Sequence, residues 1–368
     1  MLIDELQIPS TLSELRSIFK GPGETPFLAP RGIWIHEGKL FVSDTGQNRV
    51  FIWNAMPESE FESPDIVLGQ QDENDTARNA NQNLSASSLH YPSGLWSDGK
   101  KLVVADAWNH RVLIWNDLPT VWGQPADLVL GQKDFGSNEP NVEGLNSECS
   151  SKSLYWPYGV HSDGQQLWIA DTGNRRVLYF ETFPTENFAA ADQVIGKESF
   201  SSRDYDTTEP IWPYSVRVSN EGCLSITDTQ CFRVLLWKDW KTATGSAGPD
   251  QIIGQPDLTA LGQNQYGLTP GSQSLNWCYD SFFYKGGILV MDTANSRVKW
   301  HSKLFDGDNP VAEGLLGQPN FTTGSENTEN ASGTEATLYW PFALCEDNGL
   351  LAIADTGNHR ILLNQMTL

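Results

Sequence analysis

Short apolar runs separated by polar turn residues follow one another along nearly the whole chain. Within residues 156–197 these runs cover 158–161, 167–170, 176–180 and 193–195, and the breaks between them are rich in Gly, Asp and Asn. Runs of this length, rich in Val, Ile, Leu and aromatic residues and bounded by such breaks, are typical of β-strands. The pattern therefore predicts a unit of four antiparallel strands.

Each unit contains a turn that begins with Asp and ends with Arg five residues later. The six copies are Asp44–Arg49, Asp106–Arg111, Asp171–Arg176, Asp228–Arg233, Asp292–Arg297 and Asp355–Arg360. We expect the Asp carboxylate to accept hydrogen bonds from backbone N–H groups two or three residues on. The Arg is expected to pair with a carboxylate or with carbonyls of a neighbouring unit. Six similar copies favour a role in aligning the units over a ring of six cation sites.

Repeated units that fill a chain indicate one closed array, because such units cannot bury a core alone. We predict an all-β fold, a six-bladed β-propeller with four-stranded antiparallel blades, as one domain over residues 1–368. The predicted blades span about residues 30–70, 91–132, 156–197, 212–255, 277–318 and 340–368. The last unit ends soon after its third strand, so residues 1–30 are expected to supply its outer strand, through Arg16–Lys20.

The turn Asp355-Thr-Gly-Asn-His-Arg360 resembles, residue for residue, the turn that ends each unit of the NHL-repeat family. The likeness covers all six units, roughly residues 30–368. It implies a six-bladed propeller, and a function among protein-binding modules, RNA-binding modules and a few lyases. Those lyases use a metal held by His residues from separate blades, a set for which we find no counterpart in this sequence.

A second recurring feature precedes each innermost strand. We call these tetrapeptides the channel mouth, and they are residues 29–32, 91–94, 156–159, 212–215, 277–280 and 340–343. Units three to six each bring two aromatic residues there, namely Trp156, Tyr158, Trp212, Tyr214, Trp277, Tyr279, Trp340 and Phe342. These rings either cover the seams between blades or stack a planar ligand, a sugar ring or a proline-rich peptide.

Departures from the repeat mark candidate binding residues. Arg31 stands where units three to six have an aromatic residue, Cys278 replaces a Pro, and Asp280 replaces a small residue. A carboxylate near a crowded axis needs a charged partner or a cation to offset its desolvation. Asp280 is therefore the first candidate, with Arg31, Arg217 and His161 as companions. A divalent cation at the channel mouth is left open as a cofactor.

Long polar connections lead from the outer strands to the channel mouth. They cover residues 70–90, 133–155, 198–211, 256–276 and 319–339. Together with the Asp-to-Arg turns they form what we call the loop-rich face. Connections of this length inside a compact domain are often functional, so we expect a site on this face.

The formal net charge is −22, from 46 acidic and 24 basic residues. Binding to nucleic acid relies on clustered Lys and Arg, so nucleic acid is an unfavourable partner. The charge either keeps the aromatic surface soluble or attracts cations or a basic protein. The first residues lack the features of a secretory signal, and no stretch is long and apolar enough to span a membrane, so we expect no membrane association and a cytoplasmic location.

These observations favour a non-enzymatic binding or scaffold propeller. It would hold a protein partner or a small ligand on the loop-rich face and at the aromatic channel mouth. The alternative is an enzyme, a lyase or hydrolase with a cation-assisted site at the channel mouth. Replacing Asp280 distinguishes the two, because Asp280→Asn should abolish turnover in an enzyme and weaken only binding in a scaffold.

Overall fold

The computed structural model describes residues 13–366, which form 24 β-strands joined by turns and short 3₁₀ segments. The strands make six separate four-stranded antiparallel sheets. The first strand of each sheet contacts the first strand of the next, and these contacts close into a ring. The chain is therefore an all-β six-bladed propeller, as the sequence predicts.

Within each sheet the strands run outward from the axis in chain order, except that the outermost strand of blade six is the first strand of the chain. Blade one contains β2 (Gly32–His36), β3 (Lys39–Asp44), β4 (Arg49–Trp53) and β5 (Ile66–Leu68). Blade two contains β6 (Pro92–Ser97), β7 (Leu102–Asp106), β8 (Arg111–Trp115) and β9 (Leu128–Leu130). Blade three contains β10 (Pro157–Ser162), β11 (Leu167–Asp171), β12 (Arg176–Phe180) and β13 (Gln193–Ile195).

The remaining blades follow the same plan. Blade four contains β14 (Pro213–Val218), β15 (Leu224–Asp228), β16 (Arg233–Trp237) and β17 (Gln251–Ile253). Blade five contains β18 (Ser281–Tyr284), β19 (Gly287–Asp292), β20 (Arg297–His301) and β21 (Gly314–Leu316). Blade six contains β22 (Ala343–Asp347), β23 (Leu350–Asp355), β24 (Arg360–Met366) and β1 (Ser13–Phe19). Across residues 13–366, no helix reaches the length and apolarity that a membrane span needs.

Both ends of the chain build blade six. Strand β1 pairs antiparallel with β24, with Phe19 opposite Ile361. The Phe19 ring is buried and lies 5.4 Å from the Phe27 ring and 4.9 Å from the Trp53 ring of blade one. The predicted closure by an N-terminal strand is confirmed, and β1 also packs against the first blade. The rest of the predicted N-terminal segment, residues 1–12, lies outside the described residues, as do residues 367–368.

Each Asp-to-Arg turn contains a buried ion pair. In the third turn, Arg176 Nε lies 2.8 Å from Asp171 Oδ2, and both side chains are fully buried. The other carboxylate oxygen accepts the backbone N–H of Tyr155, sixteen residues upstream, at 2.7 Å. The expected bonds to N–H groups two or three residues on are wrong for this turn. Its 3₁₀ segment is instead closed by the left-handed residue Arg175 (φ 58°), whose N–H donates to the carbonyl of Thr172.

The same ion pair recurs in all six turns, with N–O distances of 2.7 to 2.9 Å. The rest of the guanidinium binds the connections on both sides of the blade. Arg176 Nη2 donates to the carbonyls of Ser150 and Ser153 at 2.8 and 3.0 Å, and its Nη1 donates to the carbonyl of Phe200. Removing one partner of a buried ion pair costs about 3–5 kcal/mol. The turns therefore fasten the connections to the blades, which supports the role in alignment.

Candidate binding site at the channel mouth

The third residue of each channel-mouth tetrapeptide stands close to the axis. Tyr158 stacks on Tyr214 with ring centroids 4.7 Å apart, and Tyr214 meets Tyr279 edge to face, also at 4.7 Å. Tyr279 in turn contacts Phe342 at 4.0 Å. Neighbouring blades therefore contribute a continuous aromatic layer, and the two other blades complete the ring. The six equivalent positions are Arg31, Ser93, Tyr158, Tyr214, Tyr279 and Phe342.

Tyr214 reaches across the axis and closes the channel. Its hydroxyl lies 3.2 Å from the hydroxyl of Ser93, which stands two blades away. The cavity that these residues line has a volume of only about 20 Å³. That space suits about one water molecule. A larger ligand would therefore lie on the channel mouth and could not thread the channel.

Small residues follow this ring because the next blade's backbone lies against them. A Cβ atom on Gly159 would come within 2.5 Å of the Tyr214 carbonyl oxygen, and one on Gly32 within 2.0 Å of the Ser93 carbonyl oxygen. Asp280 occupies the equivalent position in blade five, where β18 begins only at Ser281. The later start of this strand accompanies the larger side chain.

Asp280 is buried in an ion pair beneath the aromatic layer. It is 2% exposed, and its Oδ2 accepts from Arg217 Nη2 at 2.8 Å and from the Leu344 backbone N–H at 3.2 Å. Its Oδ1 accepts the Ser281 N–H at 2.9 Å. The charge that the sequence requires beside Asp280 is thus supplied by Arg217. The carboxylate links blade five to blades four and six.

His161 and Arg217 lie in a deeper layer around the indole of Trp34. The Arg217 guanidinium lies 5.4 Å from the Trp34 ring, and the His161 ring lies 6.4 Å from it. Trp34 Nε1 donates to the carbonyl of Ser97 at 2.8 Å, which fixes the indole. Burial, and then the charge of Arg217, lower the pKa of His161 to about 3. His161 is therefore neutral and buried, away from the exposed surface of the channel mouth.

The tryptophans at the first tetrapeptide position lie over the seams and remain partly exposed. Trp277 and Trp340 are 39% and 40% exposed, whereas Trp156 and Trp212, with rings 6.1 Å apart, are more covered. The Trp156 backbone N–H donates to His110 Nδ1 of the preceding turn at 3.2 Å. The Trp156 backbone therefore joins two blades at a seam, while the rings stay accessible to a ligand. Seam packing and ligand stacking are thus compatible.

Two further aromatic residues join this surface. Tyr91 and Trp108 stack with centroids 4.4 Å apart, and Trp108 Nε1 donates to the Tyr158 hydroxyl at 3.2 Å. The Arg31 guanidinium lies 5.2 Å from the Tyr91 ring and 4.1 Å from the Phe342 ring. Sequence reasoning missed Trp108. Its signal was visible, since it is the one Trp inside the six Asp-to-Arg turns.

The channel mouth combines one cation with neutral hydroxyl groups and ring faces. Burial raises the pKa of Tyr91 to about 12, and burial likewise raises the pKa of Tyr158 and of Tyr279. All three hydroxyls are therefore protonated at neutral pH and can donate hydrogen bonds. Arg31 Nε has no hydrogen-bond partner among the described residues. The site can bind hydrogen-bond acceptors and stack planar or apolar groups.

No three His, Cys, Asp or Glu side chains within residues 13–366 come together as a set of metal ligands. Asp280, which suggested a cation, uses its oxygens on Arg217 and two backbone N–H groups. The carboxylate that suggested a cation is therefore already paired with a guanidinium.

The connections of the loop-rich face are pinned to the turns by paired Asn side chains. In one pair, Asn141 and Asn174 exchange amide hydrogen bonds of 3.0 and 2.8 Å. The four such pairs are Asn79–Asn109, Asn141–Asn174, Asn264–Asn295 and Asn327–Asn358. Sequence reasoning missed them, although an Asn recurs in four connections about 30 residues before the Asn of the following turn.

Comparisons with known proteins support the fold but do not assign the chain to a family. No family model matches the chain, and no curated protein matches it significantly. An auxiliary nutrient binding protein from Bacteroides thetaiotaomicron is 12% identical with a TM-score of 0.52, and the match covers 96% of this chain and 75% of that one. At this identity the likeness shows the propeller fold alone.

Two other solved structures are less similar by TM-score, and they say nothing about function. A catalytically inactive virginiamycin B lyase from Staphylococcus aureus is 10% identical with a TM-score of 0.47, covering 92% of this chain and 94% of that one. The hydrazine synthase of Kuenenia stuttgartiensis is 13% identical with a TM-score of 0.48, covering 93% and 78%. The NHL resemblance therefore remains a prediction from the turn sequences, and the chain itself is a six-bladed β-propeller.

Proposed function

We propose that this chain is a non-enzymatic binding propeller of the NHL type that holds a small ligand or a protein partner at its channel mouth. The observation that carries the proposal is the set of partly exposed rings grouped around Arg31. Surface aromatic rings grouped in this way on a soluble protein typically mark an interaction site. The closed channel beneath them supports binding on the surface and not transport through the axis.

The chemistry of the site limits the ligand. Arg31 and the hydroxyls of Tyr158 and Tyr279 offer donors, while Trp277 and Trp340 offer ring faces. A suitable ligand has a flat or apolar portion to stack and hydrogen-bond acceptors that meet Arg31. A planar small molecule or a proline-rich segment of a partner meets both conditions.

The enzyme alternative has weaker support. A cation-assisted lyase or hydrolase needs a carboxylate free to hold the cation, and Asp280 is engaged by Arg217. We therefore place binding first. The expected partners and a cytoplasmic location stay predictions, and cell fractionation of the natural host tests the latter.

The proposal is tested by measuring binding of planar aromatic compounds and proline-rich peptides by calorimetry. The variant Trp277→Ala/Trp340→Ala should weaken binding by roughly tenfold or more, because stacked aromatic side chains dominate such contacts. Its unfolding midpoint should change little, since both rings are exposed. Trp122→Ala, an exposed Trp outside the channel mouth, is the matched control and should bind normally. Unchanged affinity in the double variant, or no binding of any probe, would overturn the proposal.

A further inference from the structure

A second cavity lies at the seam between the outer parts of blades one and two. The backbone N–H of Gly123 in blade two donates to the carbonyl of Val67 in β5 at 2.8 Å and joins the two blades there. The cavity has a volume of about 340 Å³, many times that at the channel mouth. A volume of this size suits a small-molecule ligand. We call it the rim pocket, and its lining includes Gln70, Gln71, Asn79, Gln82, Ser87 and Trp122.

The rim pocket is lined by uncharged polar groups, although the whole chain carries a net charge of −22. The side chains of Gln71, Gln82 and Ser87 make no hydrogen bond within the described part of the chain. Their amide and hydroxyl groups can therefore both donate and accept. A cationic ligand would lack a carboxylate in this lining, and an anionic ligand would lack a Lys or Arg.

Gln70 ties together the backbone around the pocket. Its Nε2 donates to the carbonyls of Asn48 and Ala77 at 3.0 and 2.7 Å, while its Oε1 is buried without a partner. Because this oxygen is buried, it belongs to the frame of the pocket and is not offered to a ligand. The same oxygen is unpartnered at the equivalent Gln132, Gln255 and Gln318, so selectivity must come from the other residues.

Trp122 supplies a flat apolar wall. Its ring is 42% exposed, and its Nε1 donates to the carbonyl of Asp65 at 2.6 Å, which fixes the ring orientation. An oriented indole presents an apolar face on which a ligand can stack at little entropic cost. A pyranose ring has C–H groups on its faces and hydroxyl groups on its edges, so it matches an indole beside free amides.

We propose that the rim pocket binds a neutral saccharide, with one sugar ring stacked on Trp122 and its hydroxyls bonded to Gln71, Gln82 and Ser87. This site is independent of the channel mouth, because it lies at the outer parts of blades one and two and differs from the channel mouth in volume and charge. The neutral lining predicts that affinity does not change with ionic strength, because no ion pair forms on binding.

The test is calorimetric titration of the full chain with neutral gluco-, manno-, galacto- and xylo-configured trisaccharides, at low and at high salt. At least one should bind, and Trp122→Ala should weaken it by roughly tenfold or more. Gln82→Ala should weaken it less, and the channel-mouth variant Trp277→Ala/Trp340→Ala is the control that should leave it unchanged. Because Trp122 and Gln82 are exposed, both variants should fold, which unchanged circular dichroism and unfolding midpoints would verify.

Several outcomes would overturn the proposal. These are no binding by any trisaccharide, equal binding to Trp122→Ala, loss of binding only in the channel-mouth variant, or affinity that falls steeply with salt. Selective binding of an uncharged peptide in place of every sugar would assign the pocket to a protein partner and would equally overturn it.

Discussion

Lys299 provides a stability prediction that can be worked out from the structure. It lies on β20 at a position where the other blades have an apolar residue, namely Phe51, Leu113, Leu178, Leu235 and Leu362. The side chain is completely buried, and its Nζ donates to the carbonyl of Ser274 at 3.1 Å. The charges of Asp292 and Arg297 act on it in opposite directions. Lys299 therefore resembles an ammonium group placed in an apolar seam.

Burial lowers the pKa of Lys299 to about 7, although Asp292 partly counteracts this effect. In the unfolded chain the pKa of Lys299 keeps its ordinary value of about 10.4. Between about pH 7 and pH 10 the unfolded chain therefore binds more protons than the folded chain. Stability should therefore rise with pH across this window, and the penalty should be largest below pH 7. At about 1.36 kcal/mol per pKa unit, the penalty is about 5 kcal/mol at pH 6 and about 2 kcal/mol at pH 9.

Lys299→Met keeps the length of the side chain and removes its charge. We expect it to stabilise the protein, by a few kcal/mol more at pH 6 than at pH 9, as measured by urea unfolding at both pH values. Lys133→Met replaces an exposed lysine and is the control, which should show almost no change at either pH. A gain in Lys299→Met that is independent of pH, or a loss at both pH values, would refute the reasoning.

Three further variants test the closure and the axis, each by urea unfolding. Asp280→Asn leaves the buried Arg217 unpaired and should cost about 3–5 kcal/mol, much of it recovered in Asp280→Asn/Arg217→Met; full stability of the single variant would contradict the pairing. Phe19→Ala should cost about 3–5 kcal/mol in one transition for the whole ring, and a separate early transition would contradict closure by β1. Tyr214→Phe strands the buried Ser93 hydroxyl and should cost about 1–3 kcal/mol, so unchanged stability would contradict the contact across the axis.

The fold could be predicted because its signals are local and repeated. Short apolar runs, turn residues and the recurring Asp-to-Arg spacing all lie within one unit, so six copies reinforce one another. The partner of the turn carboxylate could not be predicted, because the N–H of Tyr155 comes from the incoming connection and approaches only when the blade is formed. Local chemistry favoured a nearer N–H group, and tertiary packing overrode it.

The sequence predicts which residues lie at the candidate site better than it predicts which of them contact one another. Aligning the repeats brings Arg31, Tyr158 and Tyr279 to the axis, which the structure also shows. Tyr214 can reach across to Ser93 because the residue two blades away is small. Aligning the repeats does not show this contact. The rim pocket was predicted only in part: the connection 70–90 was expected to be functional, but its pairing with Trp122 and Gly123 of a separate connection appears only in the folded chain.

The seam between blades four and five explains why blade five departs from the repeat. At four seams the Thr of the Asp-to-Arg turn donates to a carbonyl of the next blade, and these residues are Thr45, Thr172, Thr293 and Thr356. At the seam between blades four and five the equivalent Thr229 hydroxyl is buried without a partner. Its expected acceptor would belong to Cys278, whose Sγ instead donates to the carbonyl of Arg233 at 3.4 Å. This seam therefore lacks a bond that four others have.

Other contacts replace that bond. Asp280 of blade five pairs with Arg217 of blade four at 2.8 Å, and the Ser281 hydroxyl lies 3.1 Å from those of Ser225 and Thr227. Asp280, the most conspicuous departure in the sequence, thus has a structural reason. It stabilises the seam that lacks the Thr229 hydrogen bond. A buried departure that repairs the ring gives no evidence of a ligand. Accessible residues with unused hydrogen-bonding groups or ring faces do give such evidence. Binding is therefore better sought at Arg31 and at Trp122.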